Sequence, residues 1–437
     1  MRVKYLLLLS ILTFMFVGCE DKDADLDIIG ISELSSNVIK GDGEKLEVEV
    51  RCAGAWAVSS KPNWCKVAPE SGSGDQILTI TVDANLETST RTGEVKISSG
   101  SNSKSIRFSQ APADISAEAY HYDLPVIFHV MYKDKSDDLQ YVDADRLSEI
   151  LGIVNKLYQD KSKSVDMNLT FTLATTNPEG KKLDIPGVEY ILWPDSYPID
   201  CDLFMKDDET NGGKGYVKYL WDPNQYINVM IYNFKEDLET KTTILGISHL
   251  PFTTTGSNSL KGLNEVDESY LELENLSFPY CVSINSFFIY QQSDSKEYNP
   301  ADVTVTLAHE LGHYLGLHHV FSESEDGGCE DTDYCEDTPS YNKEEYDNYY
   351  AYAIGHIPND KLFETLVKRN NCENYSFISY NIMDYSVSYS DQFTQDQYNR
   401  IRHVLAYSPL IPGPKKGQGR ARSAAEGFLK LPIRVVK

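Results

Sequence analysis

Residues 309–319 decide the fold of the second half of the chain; they read His-Glu-Leu-Gly-His-Tyr-Leu-Gly-Leu-His-His. His309 and His313 are four residues apart, so on a helix both imidazoles lie on one face, where they can bind one metal ion. Gly316 permits the sharp turn that ends such a helix, and His319 can then supply a third ligand. Three neutral nitrogen ligands with one open position predict a single catalytic zinc ion.

The residues around these ligands extend the prediction. Glu310 follows the first ligand directly, so we expect it to hold a water beside the metal as the catalytic base without being a ligand itself. His318 precedes the third ligand and is expected to point away from the metal. Upstream, residues 299–302 read Asn-Pro-Ala-Asp. They combine an N-cap residue with a proline at the first helical position, so the helix is predicted to begin there.

Further segments downstream extend this motif: Gly327-Gly328-Cys329, Asp337-Thr338-Pro339, Asn381-Ile382-Met383-Asp384-Tyr385 and Gln392-Phe393-Thr394. Together with the histidine motif they resemble the metzincin zinc peptidases and, within that clan, the pappalysin (cytophagalysin-like) family. The likeness is greatest to the zinc-dependent metalloproteinase lipoproteins of Bacteroidetes. It is strongest over residues 302–402. It implies hydrolysis of a peptide or protein substrate by a zinc-activated water, with Glu310 as general base.

The resemblance also implies roles for other residues. Met383 would form a hydrophobic floor under the ligands. Tyr385 would lie beside the zinc and stabilise the oxyanion, although a tyrosine that only packs there is the alternative. Cys329 would form a disulfide with Cys372. The family often has a further cysteine shortly after the methionine turn, and this chain lacks it, which leaves one of the family's two disulfides in doubt.

The beginning of the chain predicts export and lipid anchoring. Basic residues precede an apolar run over residues 5–17, which is too short to span a bilayer but has the length of a signal-peptide core. Residues 16–19 read Phe-Val-Gly-Cys, which resembles the lipobox of bacterial lipoproteins. We therefore expect residues 1–18 to be removed, Cys19 to carry lipid and residues 19–28 to form an acidic tether. The predicted location is the outer membrane of a Gram-negative bacterium, facing the cell surface and held there by the lipid only.

Residues 29–112 predict an all-β sandwich, because short runs of alternating apolar residues are separated by clusters of Gly, Ser, Asn and Pro. This region resembles a BACON domain in Trp56, Trp64, Ser71-Gly72-Ser73-Gly74, Asn85, Arg91-Thr92-Gly93 and Gln110-Ala111-Pro112. The family is discussed as a carbohydrate binder. We favour a spacer, because tryptophans at strand positions more often belong to a core than to a sugar platform. Cys52 and Cys65 are candidates for a disulfide inside this domain.

Residues 113–410 predict the catalytic domain. An apolar strand at 125–132, a helix with apolar residues from 147 to 158 and an alternating strand at 169–173 give a βαβ unit, and 227–232 is a further strand. The expected fold is an α/β (α+β) metzincin domain with a mixed twisted sheet and an active-site helix. Residues 411–437 are rich in basic residues, and Gly and Pro predict disorder up to about residue 425. A flexible, solvated tail is expected, and an arm that docks on the protein is the alternative.

Composition limits the remaining functions. With 41% hydrophobic and 24% charged residues the chain is neither mostly disordered nor a polytopic membrane protein. A formal charge of −26 repels phosphate backbones, so nucleic acid is not an expected partner. A dense acidic block over residues 323–337 predicts either bound calcium or a solvated loop, and if it lines the cleft it favours basic peptides.

Two other functions stay open beside the endopeptidase. One is a surface adhesin or glycan-binding lipoprotein with a non-catalytic metal domain. The presence of Glu310 argues against it, since a scaffold needs no base. The other is zinc-dependent hydrolysis of a non-peptide amide, which uses the same water chemistry.

Overall fold

The computed structural model describes residues 29–116, 119–236, 243–293, 299, 301–324, 328–385, 387–416, 425 and 427–437. The predicted signal peptide, lipidated Cys19 and acidic tether lie outside these residues. Within the described ranges, no helix has both the length and the apolar character needed to cross a bilayer.

The N-terminal region is a β-sandwich, as predicted. Its strands are β1 Ile29–Ile31, β2 Val38–Ile39, β3 Glu44–Cys52, β4 Ala55–Ser60, β5 Cys65–Ala68, β6 Ser71–Ser73, β7 Gln76–Val82, β8 Arg91–Ser99 and β9 Asn102–Gln110. They form a four-stranded sheet in the order β1-β3-β7-β5 and a five-stranded sheet in the order β2-β9-β8-β4-β6. Apolar residues of the two inner faces form one shared core, because side chains alternate between the faces of each strand.

Both tryptophans of this domain belong to its core, in line with the predicted spacer. Trp56 and Trp64 are each only 3% exposed. The Trp56 indole N–H donates to the Gly74 carbonyl (3.0 Å), and the Arg91 guanidinium lies 4.1 Å from the centre of the Trp64 ring. Neither ring offers the open face that stacking on a sugar requires.

The predicted pairing of Cys52 with Cys65 is wrong. Both thiols are free and buried. Cys65 pairs in register with Val82 at one end of β7, whereas Cys52 follows Val50, whose partner lies at the other end of that strand. The two cysteines are thus separated along and across the sheet by far more than the roughly 7 Å between Cα atoms that a disulfide can bridge.

The second domain combines strands and helices. Its strands are β10 Tyr122–Tyr132, β11 Leu169–Leu173, β12 Val188–Leu192, β13 Ile227–Tyr232, β14 Gly246–His249, β15 Phe252–Thr254, β16 Asn264–Val266, β17 Val282–Asn285, β18 Lys368–Asn370, β19 Ser376–Ile378 and β20 Val435–Val436. Its helices are α1 Ala144–Tyr158, α2 Cys201–Met205, α3 Val303–Tyr314, α4 Lys343–His356, α5 Asn359–Leu366 and α6 Gln395–Tyr407.

The main sheet of this domain is mixed, as predicted. Its order is β11-β10-β13-β17-β14-β20, with β12 also pairing with β10. β10, β11, β12, β13 and β17 run parallel, and β14 runs antiparallel to both of its neighbours. The predicted βαβ unit is β10-α1-β11. One apolar face of α1 packs on the sheet and on α3, where the Tyr158 hydroxyl donates to the Ala308 carbonyl (2.9 Å).

Helix α3 carries the histidine motif and is buried along its whole length. It begins at Val303, after the N-cap residue Asp302, and so later than the predicted start at Asn299. The reason is local: the Asp302 carboxylate accepts from the backbone N–H groups of Ser293 (2.9 Å) and Asn299 (3.0 Å). These bonds hold the preceding residues in a turn.

For residues 427–437 the structure favours the docking arm over the flexible tail. Residues 427–437 lie against the second domain, and β20 adds to the free edge of β14. Leu429, Leu431, Ile433 and Val435 are partly buried against the core. Gly and Pro predict disorder only up to about residue 425. Beyond it the alternating apolar residues pack on the domain and β20 pairs with β14, because an unpaired sheet edge accepts such a segment.

Candidate metal centre

The three predicted ligand histidines converge on one point. The Nε2 atom of His313 lies 3.0 Å from that of His309 and 3.1 Å from that of His319. All three side chains are buried, and they form the one group of at least three candidate metal ligands among the described residues. Helix α3 supplies two of them at i and i+4, and the chain after the helix brings in the third.

Each imidazole is oriented through its other ring nitrogen. Nδ1 of His309 donates to the Ile382 carbonyl (2.8 Å), and Nδ1 of His313 donates to the Leu317 carbonyl (2.8 Å). Nδ1 of His319 forms a hydrogen bond with the Glu323 carboxylate. Because Nδ1 carries the proton in each bond, the Nε2 lone pairs are left facing one another.

This arrangement fits a zinc ion. Tetrahedral coordination at the usual Zn–N distance separates ligand nitrogens by about 3.3 Å, close to the two distances between ring nitrogens. Burial lowers the pKa of His309 to about 4 and lowers the pKa of His313 and His319 well below the ordinary value. The rings are therefore neutral at pH 7, as metal ligation requires.

Glu310 lies beside this group on α3. Its side chain is 3% exposed, and burial raises the pKa of its carboxyl well above the ordinary value. Its Oε2 atom is buried without a hydrogen-bond partner among the described residues. A Cβ on Gly246, at the start of β14, would lie 2.6 Å from the Glu310 Cγ atom. Glycine at that position leaves the space in which the carboxylate lies.

The turn after α3 has the predicted glycine geometry. Gly316 has a φ of +93°, a left-handed conformation that glycine adopts freely. The backbone N–H of Leu317 donates to the Gly312 carbonyl (2.9 Å). The Arg400 guanidinium, from α6, donates twice to the Gly316 carbonyl (3.1 and 3.2 Å). These two hydrogen bonds from Arg400 therefore hold the turn that brings His319 to the metal centre.

His318 turns away from the metal centre, as expected. It is 2% exposed, and its ring meets the edge of Tyr334, with 5.4 Å between ring centres. The ring of His319 stacks instead on Phe321, with 4.7 Å between centres. The two adjacent histidines thus face different surroundings.

The methionine turn packs beneath the ligands. The Met383 sulfur would lie 2.5 Å from a Cβ on Gly312, so that glycine in α3 lets the turn approach the helix closely. The Asn381 side chain caps the Met383 backbone N–H (2.9 Å) and exchanges two amide hydrogen bonds with Gln397 (3.0 and 3.1 Å). Met383 is fully buried, so it serves as a floor through packing.

An ion pair fixes the end of the same turn. The buried carboxylate of Asp384 lies 2.8 Å from the Arg369 guanidinium and accepts from the Tyr341 hydroxyl (2.6 Å). Arg369 also donates to the Tyr385 carbonyl (3.1 Å). The Tyr385 ring centre lies 4.3 Å from that of His319. Burial, with smaller effects of Glu310 and Glu323, raises the pKa of Tyr385, so its phenol stays protonated. Both roles weighed for Tyr385 stay open.

A disulfide joins Cys329 to Cys372, as the resemblance implied. It ties the loop after the metal ligands to the segment that leads into the methionine turn. Cys335, Cys201 and Cys281 are free and buried.

The acidic block divides into residues with separate tasks. Glu323 orients His319. Asp333 accepts from the Cys335 N–H (2.9 Å) and the Thr338 hydroxyl (2.6 Å), and Asp331 caps two backbone N–H groups. Burial, together with Asp331, raises the pKa of Asp333 to about 7. Glu325 and Asp326 lie outside the described residues. Bound calcium stays a prediction.

The sequence did not single out several residues that position the site. Glu323 was placed in the acidic block, although its spacing from His319 could have suggested a carboxylate partner for that ring. Gly246 and the Arg369 side chain come close to the site only through the fold.

Comparisons with known proteins match two parts of the chain. Residues 212–406 match a family model described as pregnancy-associated plasma protein-A, a peptidase family, and residues 54–111 match the BACON model, described as a putative N-terminal binding domain. These matches confirm the predicted resemblance to a BACON module followed by a zinc metallopeptidase of the pappalysin type.

Individual relatives cover parts of the chain. An extracellular metalloprotease of Arthroderma benhamiae is 37% identical over 98 residues, which is 22% of this chain and 29% of that protein. A xyloglucan-specific endo-beta-1,4-glucanase of Bacteroides ovatus is 26% identical over 96 residues, 22% of this chain and 19% of that protein. The structure of mature mirolysin from Tannerella forsythia with a cleaved peptide is 20% identical, with a TM-score of 0.43, and the match covers 65% of this chain and 91% of that chain. The chain thus spans less than a third of the length of these curated relatives.

Proposed function

We propose that the protein is a zinc-dependent endopeptidase. The observation that carries this proposal is the convergence of three neutral ring nitrogens next to the buried carboxylate of Glu310. The match of residues 212–406 to a peptidase family supports it. A scaffold or an adhesin has no use for a buried, unpaired carboxylate at this place, because burying such a group costs free energy.

The residues of the chain divide the work of hydrolysis. Zinc bound by His309, His313 and His319 would polarise the scissile carbonyl and make a water acidic enough to lose a proton near pH 7. Glu310 accepts that proton at its unpaired Oε2 atom and passes it to the leaving amine nitrogen. The carbonyls of Ile382 and Leu317 hold two of the rings in the tautomer that leaves Nε2 free.

The proposal is tested by digestion with and without a chelator. We expect the full chain to cleave internal bonds in a peptide library, and 1,10-phenanthroline to lower the rate by at least a hundredfold. Added zinc should restore the rate. Cleavage sites read by mass spectrometry distinguish an endopeptidase from an amidase that acts on non-peptide substrates. A rate that the chelator leaves unchanged would contradict the proposal.

We further infer that lipid at Cys19 anchors the enzyme to the outer membrane, facing the cell surface. The support is the sequence of residues 1–19, in which a basic start and an apolar run precede Phe-Val-Gly-Cys. Replacing Cys19 by Ser should move most of the protein from the membrane fraction to the soluble fraction of cells that express it. A matched change of Cys335 to Ser, inside the folded domain, should leave the distribution as it was. Equal membrane recovery of the Cys19→Ser protein would exclude the anchor.

A further inference from the structure

The outer edge of β14 is covered by residues 433–437 of the same chain. Val435 and Val436 pair antiparallel with His249 and Ser248. The backbone N–H of Leu250 donates to the Arg434 carbonyl (3.1 Å), which extends the ladder by one bond. An edge strand offers unpaired backbone groups to any extended peptide, and here the chain itself takes them.

The covered edge leads to the metal centre. Gly246, the first residue of β14, lies against Glu310. Since the pairing is antiparallel, the segment runs toward that end of β14, and Lys437 follows Val436 in the direction of the catalytic carboxylate. The segment thus runs toward the catalytic carboxylate.

Side chains hold the segment from both sides. The Lys437 ammonium pairs with the Asp202 carboxylate of α2. Ile433, on the same face of the strand, lines a cavity of about 610 Å³ together with Leu203 and other residues around α2. On the opposite face, the Arg434 guanidinium donates to the Gly262 carbonyl. Ile433, Arg434 and Lys437 thus each have a neighbour of matching chemistry.

The contacts are weak enough to be exchanged. The ladder is short, and the side chains of the ion pair are 45% and 33% exposed, so solvent screens the attraction. The segment is nevertheless always close to the edge, because it belongs to the same chain. Its effective concentration there is on the order of millimolar.

We propose that residues 433–437, which occupy the edge of β14 beside the metal centre, act as an intramolecular competitor of a peptide substrate. The proposal rests on the proposed peptidase function in one respect: the peptide that replaces the segment is a substrate of the enzyme. A substrate then binds as an extended strand, and a basic side chain at the position of Lys437 meets Asp202. Activity rises when the segment leaves the edge.

A binding experiment tests the occupied edge without requiring hydrolysis. The probe is a fluorescein-labelled peptide with the sequence of residues 431–437, amidated at its end, and its binding is followed by anisotropy. The protein is the full chain with Glu310→Gln, either with or without Val435→Pro and Val436→Pro. Proline removes the ladder N–H groups and cannot continue the pairing. We expect the proline variant to bind the probe at least tenfold more tightly. Equal affinity would overturn the proposal.

A matched pair of charge changes checks the same point with less risk to folding. Lys437→Glu breaks the pair with Asp202, whereas Lys430→Glu makes the same change at an exposed residue of the same segment. Only the first should strengthen probe binding, by about three- to tenfold. Equal shifts would show an effect of net charge alone and would contradict the proposal.

Kinetics separate the two proposals. With Glu310 present, the two prolines should lower the KM for a reporter peptide at least tenfold and leave kcat within about twofold. If the probe binds as expected but no variant cleaves any peptide, the peptidase function fails while the occupied edge stands. If the wild-type chain and the proline variant cleave with the same KM, residues 433–437 do not compete with substrate, and the proposed peptidase function is unaffected.

Discussion

The Glu310→Gln protein is expected to bind zinc normally and to hydrolyse peptides at least a hundredfold more slowly than the wild type. The amide has nearly the shape of the carboxylate, so the space beside Gly246 stays filled. It cannot accept a proton, however, and general base catalysis by a positioned carboxylate contributes about 10² to 10⁴ in rate. The measurement is kcat/KM on a reporter peptide, with zinc content determined on the same sample.

Two other glutamates serve as comparisons. Glu344→Gln, at an exposed position in the first turn of α4, should leave kcat/KM and zinc content within about twofold. Glu323→Gln should act differently from both, because Glu323 orients His319: zinc affinity falls by about 10- to 100-fold, and saturating zinc recovers the rate. A Glu310→Gln protein that retains a tenth of the wild-type rate would contradict the assigned role of this residue.

The parts of the site that lie close together in sequence could be predicted, because helix geometry fixes them. His309, Glu310 and His313 share one helix, and Gly316 returns the chain within one turn, so local rules place four groups correctly. The disulfide between Cys329 and Cys372 was available only through the family resemblance. Residues that are distant in sequence, such as Gly246 and Arg369, meet the site through strand order and the path of loops, which no local pattern specifies.

The pairing of Cys52 with Cys65 was wrong, and the docking arm was ranked below the flexible tail, because strand pairing decides both outcomes and composition does not reveal it. Cys52 and Cys65 share a domain, yet the register of β7 places them at opposite ends of a strand. Residues 427–437 include basic side chains, but charges that are exposed to solvent do not prevent the alternate apolar side chains from packing against the domain. Whether a segment docks depends on whether an unpaired edge lies within reach, and the edge of β14 became known only with the fold.

The second prediction tests the metal centre itself: His313→Ala should lower zinc affinity by at least a hundredfold. His313 is the middle ligand, within 3.0 and 3.1 Å of the two other ring nitrogens, so its loss removes one of three donors and leaves the remaining pair without a closed arrangement. Zinc binds only the folded state of such a site, so it raises the Tm of the wild type by mass action. The Tm of the His313→Ala protein should not respond to micromolar zinc.

His318→Ala is the close comparison, since this buried histidine adjoins a ligand in sequence but faces Tyr334. It should lose stability through the cavity that it leaves and still bind one equivalent of zinc. His356→Ala, at an exposed position in α4, should match the wild type in both properties. Equal zinc binding by the His313→Ala and His318→Ala proteins would mean that the three rings only pack together and do not bind a metal. Both histidines are buried, and only a metal site makes zinc binding depend on His313 and not on His318.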